Sequence, residues 1–211
     1  MDNKIIITIG RQYGSGGAEI GRMLSKQLGI PFYDKELLTE AAKNSGYSEA
    51  LFEQRDERKT GSLLFSLSTG AFPLGGGASY YYELPLDDKL FLAQIDVMKK
   101  IASEGSCIII GRCAEYILRE DPACLSVFIH ASMEKRVQRI TRLYQLTDAK
   151  AESLINKTDK RRTQYHNYYS TDRWGDASSY HLCLDSGALG LENTAGIIRA
   201  VAEIKAKGIS K

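Results

Sequence analysis

Lys4-Ile5-Ile6-Ile7-Thr8-Ile9-Gly10, continued by Arg11-Gln12-Tyr13-Gly14-Ser15-Gly16-Gly17 and then Ala18-Glu19-Ile20, is the stretch that decides the fold. The first part is an unbroken apolar, β-branched run, the pattern of a strand buried on both faces. The second is a glycine-rich turn. The third opens a helix, because Ile20, Met23, Leu24 and Leu28 recur at helical spacing until Gly29 and Pro31 stop it. Strand, glycine turn and helix N-terminus together form a seat for phosphate. The turn's free N–H groups and the positive end of the helix dipole point at the same place.

The turn departs from the lysine-bearing phosphate loop, G-x-x-x-x-G-K-[ST]. With Gly16 as its second glycine, the first falls on Arg11, the lysine on Gly17 and the Ser/Thr on Ala18. The pattern alone therefore admits two readings: a phosphate loop, or a tight strand-to-helix turn that needs glycines for its backbone. The dinucleotide pattern G-x-G-x-x-G fails, since its third glycine falls on Glu19.

The run from Ile9 through Gly21-Arg22, followed by Leu28-Gly-Ile-Pro-Phe-Tyr-Asp-Lys-Glu-Leu37, resembles the start of the cytidylate kinase-like family. In that branch of the P-loop nucleoside monophosphate kinases an R-Q-[YF]-G-S-G-G loop replaces the lysine-bearing one. The resemblance implies that Arg11 is the substitute cation and that Gly14, Ser15, Gly16, Gly17 and Ala18 hold the donor phosphates. An arginine forks two phosphate oxygens where a lysine places a point charge.

Bulk properties set the frame. A chain of 211 residues suffices for one well-buried α/β domain with a small insert. A hydrophobic content of 43% and a charged content of 26% are those of an ordinary globular protein. The net charge of +2 argues against a strongly nucleic-acid-binding chain. Cys107, Cys113, Cys124 and Cys183 form no C-x-x-C pair, which speaks against structural zinc; three of them adjoin apolar runs and read as small buried hydrophobes. Residues 1–10 lack the length and cleavage site of a signal peptide, and no apolar run approaches ~18 residues. A cytoplasmic, reduced protein is expected.

Further along, residues 30–34 read as a second strand ending in Asp34, placed to meet magnesium or a substrate hydroxyl, or to cap the helix over 35–43. Residues 44–88 change character, with a charged run at 53–59 and three glycines beside Tyr80-Tyr81-Tyr82. This reads as a mobile segment carrying aromatic surface, and the resemblance makes it the substrate-binding insert. A helix opening at Asp87-Asp88 carries Phe91, Ile95, Met98 and Ile101 on one side. Cys107-Ile-Ile-Ile110 is a buried strand that runs into Gly111-Arg112, and the family carries a Gly-Arg here that contacts the acceptor phosphate.

The strand over 125–129 leads to His130-Ala131-Ser132, which caps a helix with Met133, Val137 and Ile140 as its apolar positions. Glu134, Arg136 and Arg139 match the family's pattern. Residues 134–162 hold nine Lys/Arg against four Asp/Glu, a net +5, so the rest of the chain sums to −3. From charge alone this is a basic surface helix. The resemblance makes 148–165 the lid whose Arg161 and Arg162 close over the transferring phosphoryl group. Arg173-Trp174-Gly175-Asp176 and the strand near residues 180–185 match the family's W-G-D segment, with Trp174 expected to pack the loop down. The last helix, from about Asn193, is expected to face the core with Ile197, Val201 and Ile204.

The βα alternation implies a parallel sheet covered on both faces. The expected fold is a P-loop kinase-type three-layer α/β sandwich of one domain. Its core is 1–43, 89–147 and 166–211, with an insert at 44–88 and a lid at 148–165. The expected function is phosphoryl transfer from ATP to a nucleoside monophosphate, CMP or dCMP by resemblance, with Mg2+. Arg11, Asp34, Arg161 and Arg162 are the expected catalytic residues, and Arg112 and Asp34 the acceptor-binding ones; the metal ligands are left unassigned. Two alternatives stand beside this: a kinase of another small phosphate acceptor, and an inactive nucleotide-binding regulatory module. Nucleotides are the expected partners, with neither nucleic acid nor membrane among them, and a homodimer is left open.

Overall fold

The opening apolar run becomes β1 (Ile6–Arg11), and the computed structural model of the protein describes residues 4–42 and 86–208 around it. The glycine turn leads into α1 (Gly17–Leu28), then β2 (Phe32–Tyr33) and α2 (Lys35–Ala42). The expected insert, with its glycine–tyrosine segment, lies outside the described residues except for 86–88, which open α3 (Leu86–Glu104). There follow β3 (Cys107–Ile110), the short α4 (Ala114–Ile117), β4 (Cys124–His130), α5 (Met133–Tyr144) and α6 (Asp148–Tyr169). A 3₁₀ turn (Ala177–Ser179), β5 (Leu182–Asp185), α7 (Ser186–Leu189) and α8 (Leu191–Gly208) complete the described chain.

The five strands are parallel and ordered β2-β3-β1-β4-β5. β1 is central because the chain leaves it for the far edge, returns at β3, and only then crosses to β4. Its isoleucines explain the layering. Ile5, Ile7 and Ile9 face a core shared with α1 and α8, while Ile6 faces a second core shared with α3, and all four are fully buried. Each such side chain contributes about 1.5–3 kcal/mol on burial. The α/β three-layer sandwich is as expected.

One element fills out the sequence reading and another departs from it. The segment expected as a lid lies within one continuous 22-residue helix, α6, anchored by the buried Ala151, Ile155, His166 and Tyr169. On α8 the core-facing residues are Ala195, Ile198, Ala202 and Ala206; Ile197 is 36% and Ile204 69% exposed. The reason is close packing: α8 lies against α1, and the three alanines around Ile198 let the two helices approach, with Val201 packed at the edge of the same core.

Candidate active site

In a sheet of this order, ligands bind where the strand order reverses, beyond the carboxyl ends of the strands. Here those ends are Arg11 closing β1, Asp34 after β2 and Gly111-Arg112 after β3. A cleft of about 450 Å³ opens there, lined among others by Arg11, Ala18, Asp34, Arg112, Arg161 and Arg162. Among the described residues, six cationic side chains line it (Arg22 and Lys35 are the other two) against three carboxylates, Asp34, Glu36 and Glu115. That excess selects for an anionic ligand.

Arg11 is the centre of the arrangement. Its stem runs over Gly17, where a Cβ would lie 2.7 Å from Arg11 Cβ, and its guanidinium lies across Gly111. The head thus reaches from the glycine turn towards β3, beside Arg112. Gly111 has φ +74° and no room for a side chain, since a Cβ would collide with Arg11 Nη1. Among the described residues no carboxylate forms an ion pair with Arg11. Burial, then the neighbouring Arg162, push its pKa down to about 9 against the pull of Glu115. At neutral pH the group keeps its proton, so it stands as a buried cation without an ion-pair partner among the described residues.

Two predictions follow from that geometry. Gly111→Ala is expected to cost about 1–2 kcal/mol for the left-handed backbone and to displace Arg11. Added to Arg11→Ala it should keep the stability cost and add little further loss of activity, which denaturation and rate measurements on the double variant would check. The second concerns pH. The folded-state pKa of Arg11 is lowered, so its destabilising effect is present below about 9 and is relieved above it, while the unfolded chain stays protonated to far higher pH. Anion affinity should therefore fall as pH rises through 9, in a titration with inorganic phosphate, and Arg11→Met should abolish that step.

The backbone around Arg112 is unusual. Gly111, Arg112 and Cys113 have consecutive φ values of 74°, 59° and 56°. Left-handed non-glycine residues cost of order 1–3 kcal/mol each and cluster at ligand sites. The turn is held by Ala114 N–H to Gly111 O at 3.2 Å and by the buried Cys113. It presents the Arg112 guanidinium over the ring of Tyr165 at 4.7 Å.

The glycine turn is clamped from outside. Tyr13 N–H donates to Asp159 Oδ1 at 2.7 Å, and Arg136 Nη1 donates to Asp159 Oδ2 at 2.6 Å and to Tyr13 O at 3.4 Å. Gly16, at φ +79°, has its Cβ position filled by Leu191, and the Arg139–Glu19 ion pair closes the same corner. Ser15 is buried, its hydroxyl donating to Gln12 O. The N–H groups of Gly16, Gly17 and Ala18 take no partner among the described residues. They are the orphan donors of a helix start and fit the phosphates of a nucleotide donor.

The remaining expected residues fall as follows. Arg162 Nη1 donates to Arg11 O at 2.9 Å and its guanidinium lies 5.4 Å from the Tyr13 ring, so α6 is already docked on the turn. Arg161 is exposed and lines the cleft. Asp34 caps α2 through Leu37 N–H at 3.1 Å and pairs with Arg22 at 3.5 Å, so its capping and cleft roles coexist. Trp174 packs edge-on against Phe128 at 5.5 Å, as expected, and also lines the cleft. Cys107, Cys113 and Cys124 are buried. Among the described residues no three His, Cys, Asp or Glu side chains group as a metal site.

The sequence reading gave no role to Arg22, Glu115, Tyr165, His166 and Tyr180, all of which line the cleft. Helical spacing could have found three of them: Tyr165 and His166 sit one turn beyond Arg161 and Arg162, and Arg22 one turn beyond Ala18. Nothing local marks Glu115 or Tyr180.

A parallel sheet in this order, with a glycine turn after its central strand and an arginine-rich cleft at the strand ends, defines the P-loop kinase class of fold. Two solved structures share that fold at low identity. One is a gluconokinase from Sinorhizobium meliloti (TM-score 0.52, 14% identity, covering 100% of this chain and 98% of that one). The other is a shikimate kinase from Bacteroides thetaiotaomicron (TM-score 0.50, 12% identity, 94% and 98%). The chain belongs to the cytidylate kinase-like family, whose profile matches residues 6–188. It is also similar to an uncharacterized protein of known crystal structure from Eubacterium ventriosum, at 30% identity and TM-score 0.73 over 95% of this chain and 98% of that one. No curated protein sequence matches the chain. Membership of a kinase family supports phosphotransferase chemistry. No described helix is long and apolar enough to cross a membrane.

Proposed function

We propose that the protein transfers the γ-phosphoryl group of ATP to a nucleoside monophosphate, CMP or dCMP in the first instance. The observation that carries this reading is the convergence of Arg11, Arg112, Arg161 and Arg162 on one cleft beside the free N–H groups at the start of α1. Phosphoryl transfer asks the protein for positioning and charge and little covalent chemistry. The amides of residues 16–18 would hold the donor phosphates. Arg112, stacked on Tyr165, would grip the acceptor phosphate. Arg11 reaches from Gly17 to Gly111 and so spans both, which suits the transferring group. Arg162, docked on Arg11, and Arg161 at the rim would add charge where it develops in the transition state.

Mg2+ would neutralise the donor phosphates, and it is commonly held by one or two carboxylates plus phosphate oxygens, so the absence of a protein cage among the described residues does not oppose it. Asp34 is the cleft carboxylate suited to it or to the acceptor. The test is ADP release from ATP and Mg2+ with ribo- and deoxyribonucleoside monophosphates, and with gluconate and shikimate as acceptors without phosphate. Turnover with CMP or dCMP above all others is the expected result. Turnover with another acceptor alone would replace the nucleotide reading, and saturable ATP binding without turnover would favour a regulatory module.

A further inference from the structure

Buried polar groups almost always have partners, yet among the described residues three side chains lining this cleft, Tyr165, His166 and Tyr180, each carry an atom without one. Among the described residues, Tyr180, 8% exposed, has no hydrogen-bond partner for Oη, and His166, 4% exposed, has none for Nδ1. The other ring nitrogen of His166 donates to Glu115 Oε1 at 2.7 Å, in a pair with both side chains 5% exposed. Tyr180 Oη lies 3.1 Å from where a Cβ of Gly10 would be, one residue before Arg11. The Gly175 N–H approaches the phenol oxygen without reaching hydrogen-bond geometry, and no acceptor faces the hydroxyl proton.

The rest of Tyr180 is accounted for. Its ring is tilted against Phe128 at 5.0 Å, and that aromatic contact would be the same for phenylalanine. Only the hydroxyl lacks a structural reason. Glu115 and Tyr180 also line a second cavity of about 340 Å³, bordered by Ser126, Asp172 and Ser178. These two side chains therefore border both the arginine-rich cleft and a second space whose lining also includes Arg119 and His181.

We propose that Tyr180 Oη, beside the Glu115–His166 pair, binds the acceptor at the end away from its phosphate, reading a hydroxyl- or amine-bearing group there. The proposal rests on the kinase reading and deepens it: the arginines take the anionic end and the buried polar set takes the rest. Glu115 is a hydrogen-bond acceptor and Tyr180 a donor, since burial and then Glu115 push its pKa up and keep the phenol protonated. A ligand group that both donates and accepts satisfies the pair together. A site built this way discriminates strongly against analogues lacking the group, because its own polar atoms are then left unpaired.

Tyr180→Phe tests this, because it removes the hydroxyl and keeps the ring on Phe128. The expected result is an unchanged melting temperature, an unchanged KM for ATP, and a KM for CMP raised about 10-fold or more, on the scale of one buried hydrogen bond. Calorimetric titration with CMP should show the same weakening without relying on turnover. Glu115→Gln should also weaken CMP and spare ATP, with its melting curve as a control for folding. If the wild-type protein binds CMP and Tyr180→Phe binds it equally well, the proposal is overturned while the kinase reading stands. If the wild-type protein binds no CMP, the nucleotide-acceptor reading and this proposal fall together.

Discussion

Replacing Arg11 by alanine is expected to lower turnover by about 30- to 1000-fold while leaving the ligand-free protein as stable as before or slightly more so. The loss corresponds to roughly 2–4 kcal/mol, the scale of one preorganised transition-state donor. The opposite sign on stability comes from the geometry. Arg11 is desolvated beside Arg162 and Arg112, and no carboxylate pairs with it among the described residues, so removing it relieves repulsion. A residue kept for packing would behave the other way, losing stability first and activity as a consequence. Arg11→Lys keeps a charge but not the fork, and should recover only part of the rate. The measurements are steady-state rates and thermal melting on the same preparations. An unchanged rate would remove Arg11 from the mechanism.

Asp159→Ala should act through stability. Asp159 and Arg136 have side chains 16% and 7% exposed, and together they bind both the N–H and the C=O of Tyr13. Removing the carboxylate leaves the Arg136 cation buried without a counter-charge, which typically costs about 3–5 kcal/mol. In a chain of this size that is a fall in melting temperature of about 10 °C or more. It also frees the glycine turn from α6, so donor affinity should fall alongside. Asp159→Asn preserves the shape and an acceptor for Tyr13 N–H, and should lose less. A melting temperature within 2 °C of wild type would show that the clamp is not what holds the turn.

These two residues differ in how far they could be read beforehand. Arg11 stands in the opening motif, and its cationic role follows from the family resemblance; its direction does not. A side chain at the end of a parallel strand can turn into the loop or across to the neighbouring strand. What decides it is Gly17 under its stem and Gly111 under its head, contributed by segments a hundred residues apart. Asp159 and Arg136 read as members of a basic, solvated segment, because local charge counts cannot show that one cation on that face is buried with a carboxylate 23 residues on.

The sequence by itself determined the order of strands and helices, the parallel sheet, the glycine turn at the end of β1 and the arginine at the end of β3. These depend on apolar runs, helical spacing and turn residues, all of which act over a few neighbours. On α8 the same reasoning placed Val201 against the core correctly but misplaced Ile197 and Ile204, since several apolar residues fit a helical repeat and only the packing on α1 selects among them. The tertiary structure alone decided which charges are buried, which are paired, and which polar atoms lack a partner. Glu115, His166 and Tyr180 come together because the start of α4, the last turn of α6 and the segment before β5 border one cleft. Pairing and desolvation depend on distances between distant segments, and no local pattern encodes them.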